Sequence, residues 1–302
     1  MRKFSLIALA VLFIGLMVSS QAFGFALIDP SGNPYLGPIE MKFYDWTIGR
    51  QYPTYIPNPS PPPDGWWVPE GARAGLPGGA SNVPDATLTG GDCVEDSWGI
   101  LILTSITDGT NNVWTPSSTE EITGYMYGFD DAYIDLVDTD YHVGQVGGFL
   151  DLYLDSTPDF DATPDPSTNP RPSGGSDAWG ATDGSLFLSL SAVPGVVPAM
   201  PSLTRWETST ALTTPWSGKG TIYFSVTGGS HASLFDSNGY LGGKADLYCI
   251  FDFGPTDRHS FDAKSSDPTF GTAVPEPATM LLLGSGLFGL GLFGRRRFRK
   301  QV

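Results

Sequence analysis

Four aspartates recur at short intervals in one polar segment of the chain. They are Asp155, Asp159, Asp161 and Asp165. Carboxylate oxygens are the ligands that Ca²⁺ selects, so these residues are candidate calcium ligands. The EF-hand pattern does not fit: counting from Asp159, Pro164 stands where glycine is required and Pro170 where glutamate is required. A solvated acidic loop is therefore the favoured interpretation of the pattern, with a calcium site as the alternative, and no cofactor other than Ca²⁺ is expected.

Residue patterns for other chemistry are absent from the sequence. The three histidines, His142, His231 and His259, stand singly, and there is no H-E-x-x-H, C-x-x-C or Gly-x-Ser-x-Gly pattern. Ser230 beside His231 is the nearest approach to a nucleophile and base, but adjacent side chains rarely face one another productively. Carboxylates are too numerous to single out a glycosidase pair. We therefore expect a protein that is not an enzyme.

Tryptophan is frequent, with eight residues in the chain. Trp66 and Trp67 follow the proline run Pro61 to Pro63, which favours extended polyproline structure. Sugar rings stack on exposed tryptophans, so this pair is a candidate carbohydrate site. Packing over the core is the more common use of such residues and remains the alternative.

Charge excludes one class of partner. The chain has 32 acidic and 16 basic residues, and its formal net charge is −16. Seven of the basic residues lie at the two termini, so the part between them carries about 22 excess negative charges. Such a surface repels phosphate backbones, and we expect no nucleic-acid partner.

The two cysteines are Cys93 and Cys249. In an exported chain thiols oxidise and persist as disulfides, so we predict one bridge between them. It would stabilise the fold by about 4 kcal/mol through loop-closure entropy. Two buried thiols are the alternative.

The fold class follows from a period of two in hydrophobicity, with turn residues between short runs and almost no helical pattern. The predicted strands are Ile39–Ile48, Trp98–Thr104, Glu121–Phe129, Ala132–Asp138, Val146–Asp155, Ser185–Ala192, Gly220–Thr227 and Asp246–Phe253. This pattern predicts an all-β protein with a single β-sandwich or jelly-roll-like domain over residues 27–262. Residues 263–273 are polar and favour a spacer.

The N-terminus has the parts of a secretory signal peptide. Arg2 and Lys3 precede an apolar run from Leu6 to Val18, and small residues follow. We interpret residues 1–24 as this signal, with cleavage between Ala22 and Ala26. The Sec translocon and signal peptidase are the implied partners.

The C-terminus has three consecutive parts. Pro275, Glu276 and Pro277 form a strip that the prolines keep extended. The apolar run from Met280 to Gly294 predicts a short transmembrane helix of about 22 Å. A basic cluster follows, which stops transfer and leaves the body outside. It comprises Arg295, Arg296, Arg297, Arg299 and Lys300.

These three parts, in this order and over residues 274–300, resemble the PEP-CTERM sorting signal. The resemblance implies a Gram-negative host that makes exopolysaccharide, and processing by exosortase, a membrane protein that acts as a cysteine-dependent transpeptidase or protease. The precursor would be anchored in the inner membrane, and the product would reach the outer surface or extracellular matrix. The same tail is catalogued as an ice-binding protein C-terminal motif, which implies nothing about the body.

Three functions are compatible with these features. The first is an exported, non-catalytic surface or exopolysaccharide-matrix protein, sorted through its tail. The second is a carbohydrate-binding module of the matrix, which would use Trp66 and Trp67. The third is a glycan-active enzyme, for which reducing-sugar release from exopolysaccharide is the distinguishing observation.

Overall fold

The computed structural model describes residues 25–49, 66–67, 95–166, 168–169, 171–172, 177–210, 217–256 and 261–275. Strands make up nearly all of the regular structure in these ranges. They are β1 (Gly37–Gly49), β2 (Trp66–Trp67), β3 (Ser97–Thr107), β4 (Asn112–Trp114), β5 (Glu121–Val137), β6 (Asp140–Asp155), β7 (Ser185–Ala192), β8 (Arg205–Ser209), β9 (Gly218–Gly228), β10 (Leu247–Gly254) and β11 (Ala263–Ala273). A short helix, α1 (Ala232–Phe235), lies between β9 and β10.

The strands form one antiparallel sheet that closes on itself. Eight strands follow one another around the ring in the order β1, β3, β5, β6, β7, β9, β10 and β11, and β11 pairs again with β1. Strand β8 lies between β6 and β9, as β7 does, because both strands pair with β6 and with β9. The short strands β2 and β4 are attached to β5 and β3. Because neighbours are antiparallel, β1, β5, β7 and β10 all begin at one end of the ring.

The all-β prediction is confirmed, whereas the hydrogen bonds describe one continuous sheet and not the two facing sheets of a sandwich or jelly roll. The reason is that alternation of apolar and polar residues gives only part of the information needed to predict a sheet. A period of two shows which side chains share a face, but it does not show which strands pair. Closure depends on non-local pairs, above all β1 with β11.

The inside of the ring is the main core. Seven of its eight strands contribute apolar side chains, as Ile39, Met41 and Phe43 do from β1, whereas Ala273 is the one described residue of β11 in this core. At the end where β1 begins, three aromatic rings pack against one another: Phe187 contacts Phe25 at 4.7 Å and Phe235 at 5.6 Å between centroids. The residue immediately after the predicted signal peptide is therefore part of the core.

A second, smaller core lies on the outer face of β1, β3 and β5. Trp46, Trp98 and Tyr125 project outward there, on the opposite faces of the same strands. We name residues 156–184 the covering loop, and its described residues pack over them with Trp179 and Ala162. The loop replaces the second layer that a sandwich would have provided.

The prediction of a polar spacer at residues 263–273 is wrong, because these residues form β11. Its buried positions hold small or weakly polar residues, including Ala263, Ser265 and Thr269, so no hydrophobic run marks the strand. Pro268 argues against a central strand because it lacks an N–H. The pairing accommodates it: the ladder between β10 and β11 has pairs at Thr269 and at Ser265 but none between them.

Candidate functional site

Three carboxylates converge where the hairpin of β5 and β6 opens. Glu121 is the first residue of β5 and lies opposite Asp155, the last residue of β6. Asp159 reaches the pair from the covering loop. One carboxylate oxygen from each residue lies within 4.8 Å of the other two. Glu121 and Asp155 are 5% and 8% exposed, so two of the three charges are withdrawn from water.

Hydrogen bonds fix two of these carboxylates but leave one buried oxygen without a donor. Glu121 Oε1 accepts from the backbone N–H of Asp159 at 2.9 Å and of Phe160 at 3.0 Å. Asp155 Oδ1 accepts from the N–H of Thr157 at 2.9 Å. Asp155 Oδ2 is buried and accepts no hydrogen bond. A buried charged oxygen with no partner is costly, so this atom requires an explanation.

The electrostatic field of the cluster is strongly negative. Burial raises the pKa of Glu121; its two backbone hydrogen bonds oppose the shift, and the charges of Asp155 and Asp159 add to it. Burial also raises the pKa of Asp183, in the turn before β7, and the charges of Asp159 and Asp155 again add to it. Within the described residues, no basic side chain forms an ion pair with any of these four carboxylates.

The covering loop is ordered by several contacts, one of which lies directly against Asp159. Asp177 accepts hydrogen bonds from the backbone N–H groups of Trp179, Ala181 and Thr182. Trp179 is fully buried, with its ring 5.9 Å from that of Trp98. Gly180 has a φ of +63°, and a Cβ at this position would overlap Oδ1 of Asp159. Glycine is required there by both conformation and space.

A buried ion pair also attaches the covering loop to the sheet. Arg171 bonds to Glu95, and their side chains are 4% and 1% exposed. The guanidinium lies 5.3 Å from the ring centroid of Trp98. The loop is therefore held from both its middle and its C-terminal half.

Two of the four predicted calcium ligands, Asp155 and Asp159, are in the cluster. Asp161 instead accepts hydrogen bonds from the N–H and Oγ1 of Thr163. The backbone carbonyl of Asp165 accepts from Thr168 and Asn169, which closes a separate turn. Neither residue belongs to the group of converging carboxylates.

Sequence reasoning missed Glu121. The feature that could have located it is the hairpin turn after Val137, where Asp138 has a φ of +57°. Counting back from that turn places Glu121 beside the end of β6, but the pairing also contains a bulge between Asp131 and Tyr133. A bulge shifts the register by one residue, so only the structure identifies Asp155 as the partner.

The backbone of Trp66 and Trp67 forms β2, which pairs with Ile134 and Tyr133 of β5. The carbohydrate site stays a prediction. Elsewhere, Tyr223, Tyr248 and Phe270 form a cross-strand row of half-buried rings. Tyr223 and Tyr248 stack at 4.8 Å, so each covers a face of the other and the row stabilises the sheet.

Cys249 lies on the inner face of β10 and is 8% exposed. Cys93 lies outside the described residues, so the disulfide stays a prediction. Cys249 lines a pocket of about 50 Å³, together with Phe43, Leu150 and Arg205. That volume holds a water molecule or two, whereas pockets for small organic ligands measure about 300–1,000 Å³.

Ser230 and His231 do approach each other, with 2.9 Å between Ser230 Oγ and His231 Nδ1. The Ser230 hydroxyl, however, is also placed to donate to the carbonyl oxygen of Leu186 at 3.0 Å. A hydroxyl has one proton, and a serine nucleophile must give it to its base. The ring of His231 packs against Phe25 and Phe187, as part of the aromatic cluster at this end of the ring.

The tail leaves the body directly from β11. Ala273 is 2% exposed and pairs with Gly37, and the N–H of Val274 donates to the carbonyl of Leu234 in α1 at 2.8 Å. Pro275 is exposed and is the last described residue. Glu276, Pro277 and the basic cluster from Arg295 to Lys300 lie beyond it. Within the described ranges, no helix is long and apolar enough to cross a membrane.

The fold and its junction define a closed all-β body that carries a C-terminal sorting tail. Residues 273–297 match the family model of the PEP-CTERM protein-sorting motif. The tail is thus a PEP-CTERM sorting signal, as its parts predicted, and the match covers the tail alone. No curated protein and no solved structure matches the chain.

Proposed function

We propose that this protein is exported, processed by an exosortase at its PEP-CTERM tail, and delivered to the outer surface or exopolysaccharide matrix as a non-catalytic structural or interaction protein. The observation that carries the proposal is the motif match over residues 273–297. The motif implies an exported protein with exosortase as its processing partner. Its host and matrix are inferred from the family.

The position of the junction between body and tail supports the proposed processing, because the tail begins where the last strand ends. The motif begins at Ala273, which is the last residue of β11. Every strand of the closed ring therefore precedes the Pro-Glu-Pro strip. Removal of the chain beyond that strip leaves each strand pair of the ring in place.

The non-catalytic part of the proposal rests on the sequence, which has none of the catalytic patterns sought above, and on the alternative acceptor for the Ser230 hydroxyl. The excess of acidic over basic residues between the termini suits a protein that acts by binding and not by catalysis.

The experiment replaces Pro275 and Pro277 with alanine in the natural host. A helix would then extend through the recognition strip, so the precursor should accumulate in the inner membrane with its body outside. Cell fractionation and protease accessibility measure the outcome. The matched control is Pro198→Ala with Pro201→Ala, two exposed prolines in the loop between β7 and β8, which should be processed normally. Normal processing of both variants would contradict the role of the strip.

A further inference from the structure

The geometry points to a Ca²⁺ site formed by Glu121, Asp155 and Asp159 at the open end of the β5–β6 hairpin. The three oxygens lie within 4.8 Å of one another. Two oxygens on one ion can be separated by at most twice the metal–oxygen distance, about 4.6–5.2 Å for Ca²⁺ and about 4.0–4.2 Å for Mg²⁺. The limit of 4.8 Å lies within the range for Ca²⁺, whose flexible coordination tolerates small adjustments of its ligands better than the strict octahedron of Mg²⁺ does.

The buried oxygen of Asp155 is the independent observation. Asp155 is 8% exposed, and its Oδ2 has lost water without gaining a hydrogen-bond donor. Uncharged residues at these paired positions of β5 and β6 would have avoided the cost of burying a charged oxygen. A bound cation supplies the missing partner, because it is the strongest local positive charge that a site can contain.

The charges around the cluster also favour a bound cation. Glu121 and Asp155 face each other directly across the two strands, where like charges are destabilising. Asp159 and Asp183 add negative charge, and in the described part of the chain no lysine or arginine pairs with any of the four. A divalent cation offsets this repulsion.

The ligands are held in position before an ion binds. Glu121 and Asp155 sit on paired strands, and two backbone N–H groups fix Oε1 of Glu121. Gly180 lies directly against the carboxylate of Asp159. Asp159 is exposed, so water can complete the six to eight ligands that Ca²⁺ takes. Binding would join the covering loop to the hairpin and so stabilise the body, independently of the sorting tail.

The test uses the full chain, purified in mild detergent and stripped of ions with EDTA. Titration calorimetry with CaCl₂ should show one site per chain. Ca²⁺ at tenfold above its dissociation constant should raise the unfolding midpoint by about 3–6 °C, and MgCl₂ should raise it less. No binding heat and no midpoint shift at 10 mM Ca²⁺, or an equal response to Mg²⁺, would overturn the assignment.

Three isosteric variants locate the site. Asp159→Asn changes an exposed residue, so it should fold normally and lose the Ca²⁺ response. Glu121→Gln retains an acceptor for both N–H groups, and Asp155→Asn retains one for Thr157. Both should be as stable as the unaltered protein, or more so, in EDTA, and less stable than it in Ca²⁺. A purely structural role would not produce this reversal.

The matched control is Asp161→Asn, in the same loop and two residues from Asp159. Asparagine Oδ1 can still accept from the N–H of Thr163, and its Nδ2–H₂ can donate to Oγ1 of the same residue, so Ca²⁺ binding and the midpoint shift should be unchanged. Loss of binding in this variant but not in Asp159→Asn would place the ion elsewhere. A Ca²⁺ response that survives in all three site variants would contradict the proposal.

Discussion

At the scale of residues, Glu121 and Asp155 form a facing pair of buried acidic side chains whose repulsion lowers the stability of the fold. Buried like charges on paired strands lower stability, and this cost is one of the observations on which the proposed Ca²⁺ site rests. The sequence predicted Asp155 and Asp159 because they recur within one segment. It could not predict Glu121, since a bulge in the hairpin determines which residues face each other.

The packing of Phe25 restricts where signal peptidase can cut. Its side chain is 7% exposed and packs on Phe187 and Trp114. If signal peptidase cuts between Ala22 and Ala26, only a cut before Phe25 preserves this packing. We therefore expect the mature N-terminus to lie between Phe23 and Phe25, as N-terminal peptide mass spectrometry would show.

The same residue has a stability test. Phe25→Ala should lower the free energy of unfolding by about 3–5 kcal/mol, because it leaves a cavity among packed aromatic rings. Leu36→Ala is the control, since Leu36 is 48% exposed and its truncation should change stability by less than about 0.5 kcal/mol. Urea unfolding measures both. Equal effects of the two changes would mean that Phe25 is outside the core.

At the scale of elements, strands with alternating large apolar residues were predictable and the others were not. The predicted strand Ser185–Ala192 coincides with β7, and the two predicted strands from Glu121 and Ala132 are one strand, β5. Strand β8 has the short polar sequence of Arg205–Ser209, and the small buried residues of β11 give no hydrophobic signal. Such strands are specified by their partners in the ring, which local pattern does not reveal.

Strand β11 gives the element-level prediction. Two chains beginning at Phe25 should be compared, one ending at Asp262 and one at Pro275. The shorter chain lacks the strand that joins β1 to β10, so it should lose cooperative unfolding and much of its strand signal in far-ultraviolet circular dichroism. The longer chain should keep both. A cooperative transition in the shorter chain would show that residues 263–273 act as a spacer after all.

At the scale of the whole molecule, the body and the sorting tail meet without a spacer. The N–H of Val274 still bonds to the body, and Pro275 is already exposed. The sorting motif therefore begins within the last strand of the body. A cut at or beyond Pro275 spares the fold, whereas a cut within β11 would open it.

The most direct measurement of the sorting claim is intact-mass and C-terminal peptide analysis of surface-exposed protein from a host with and without its exosortase. With the enzyme, the mature chain should end near Pro275 to Pro277 and lack the apolar run and the basic cluster from Arg295 to Lys300. Without it, the full tail should remain on a precursor in the inner membrane. Surface protein that is intact through Val302 in both strains would contradict the account, because the tail would then be a permanent anchor.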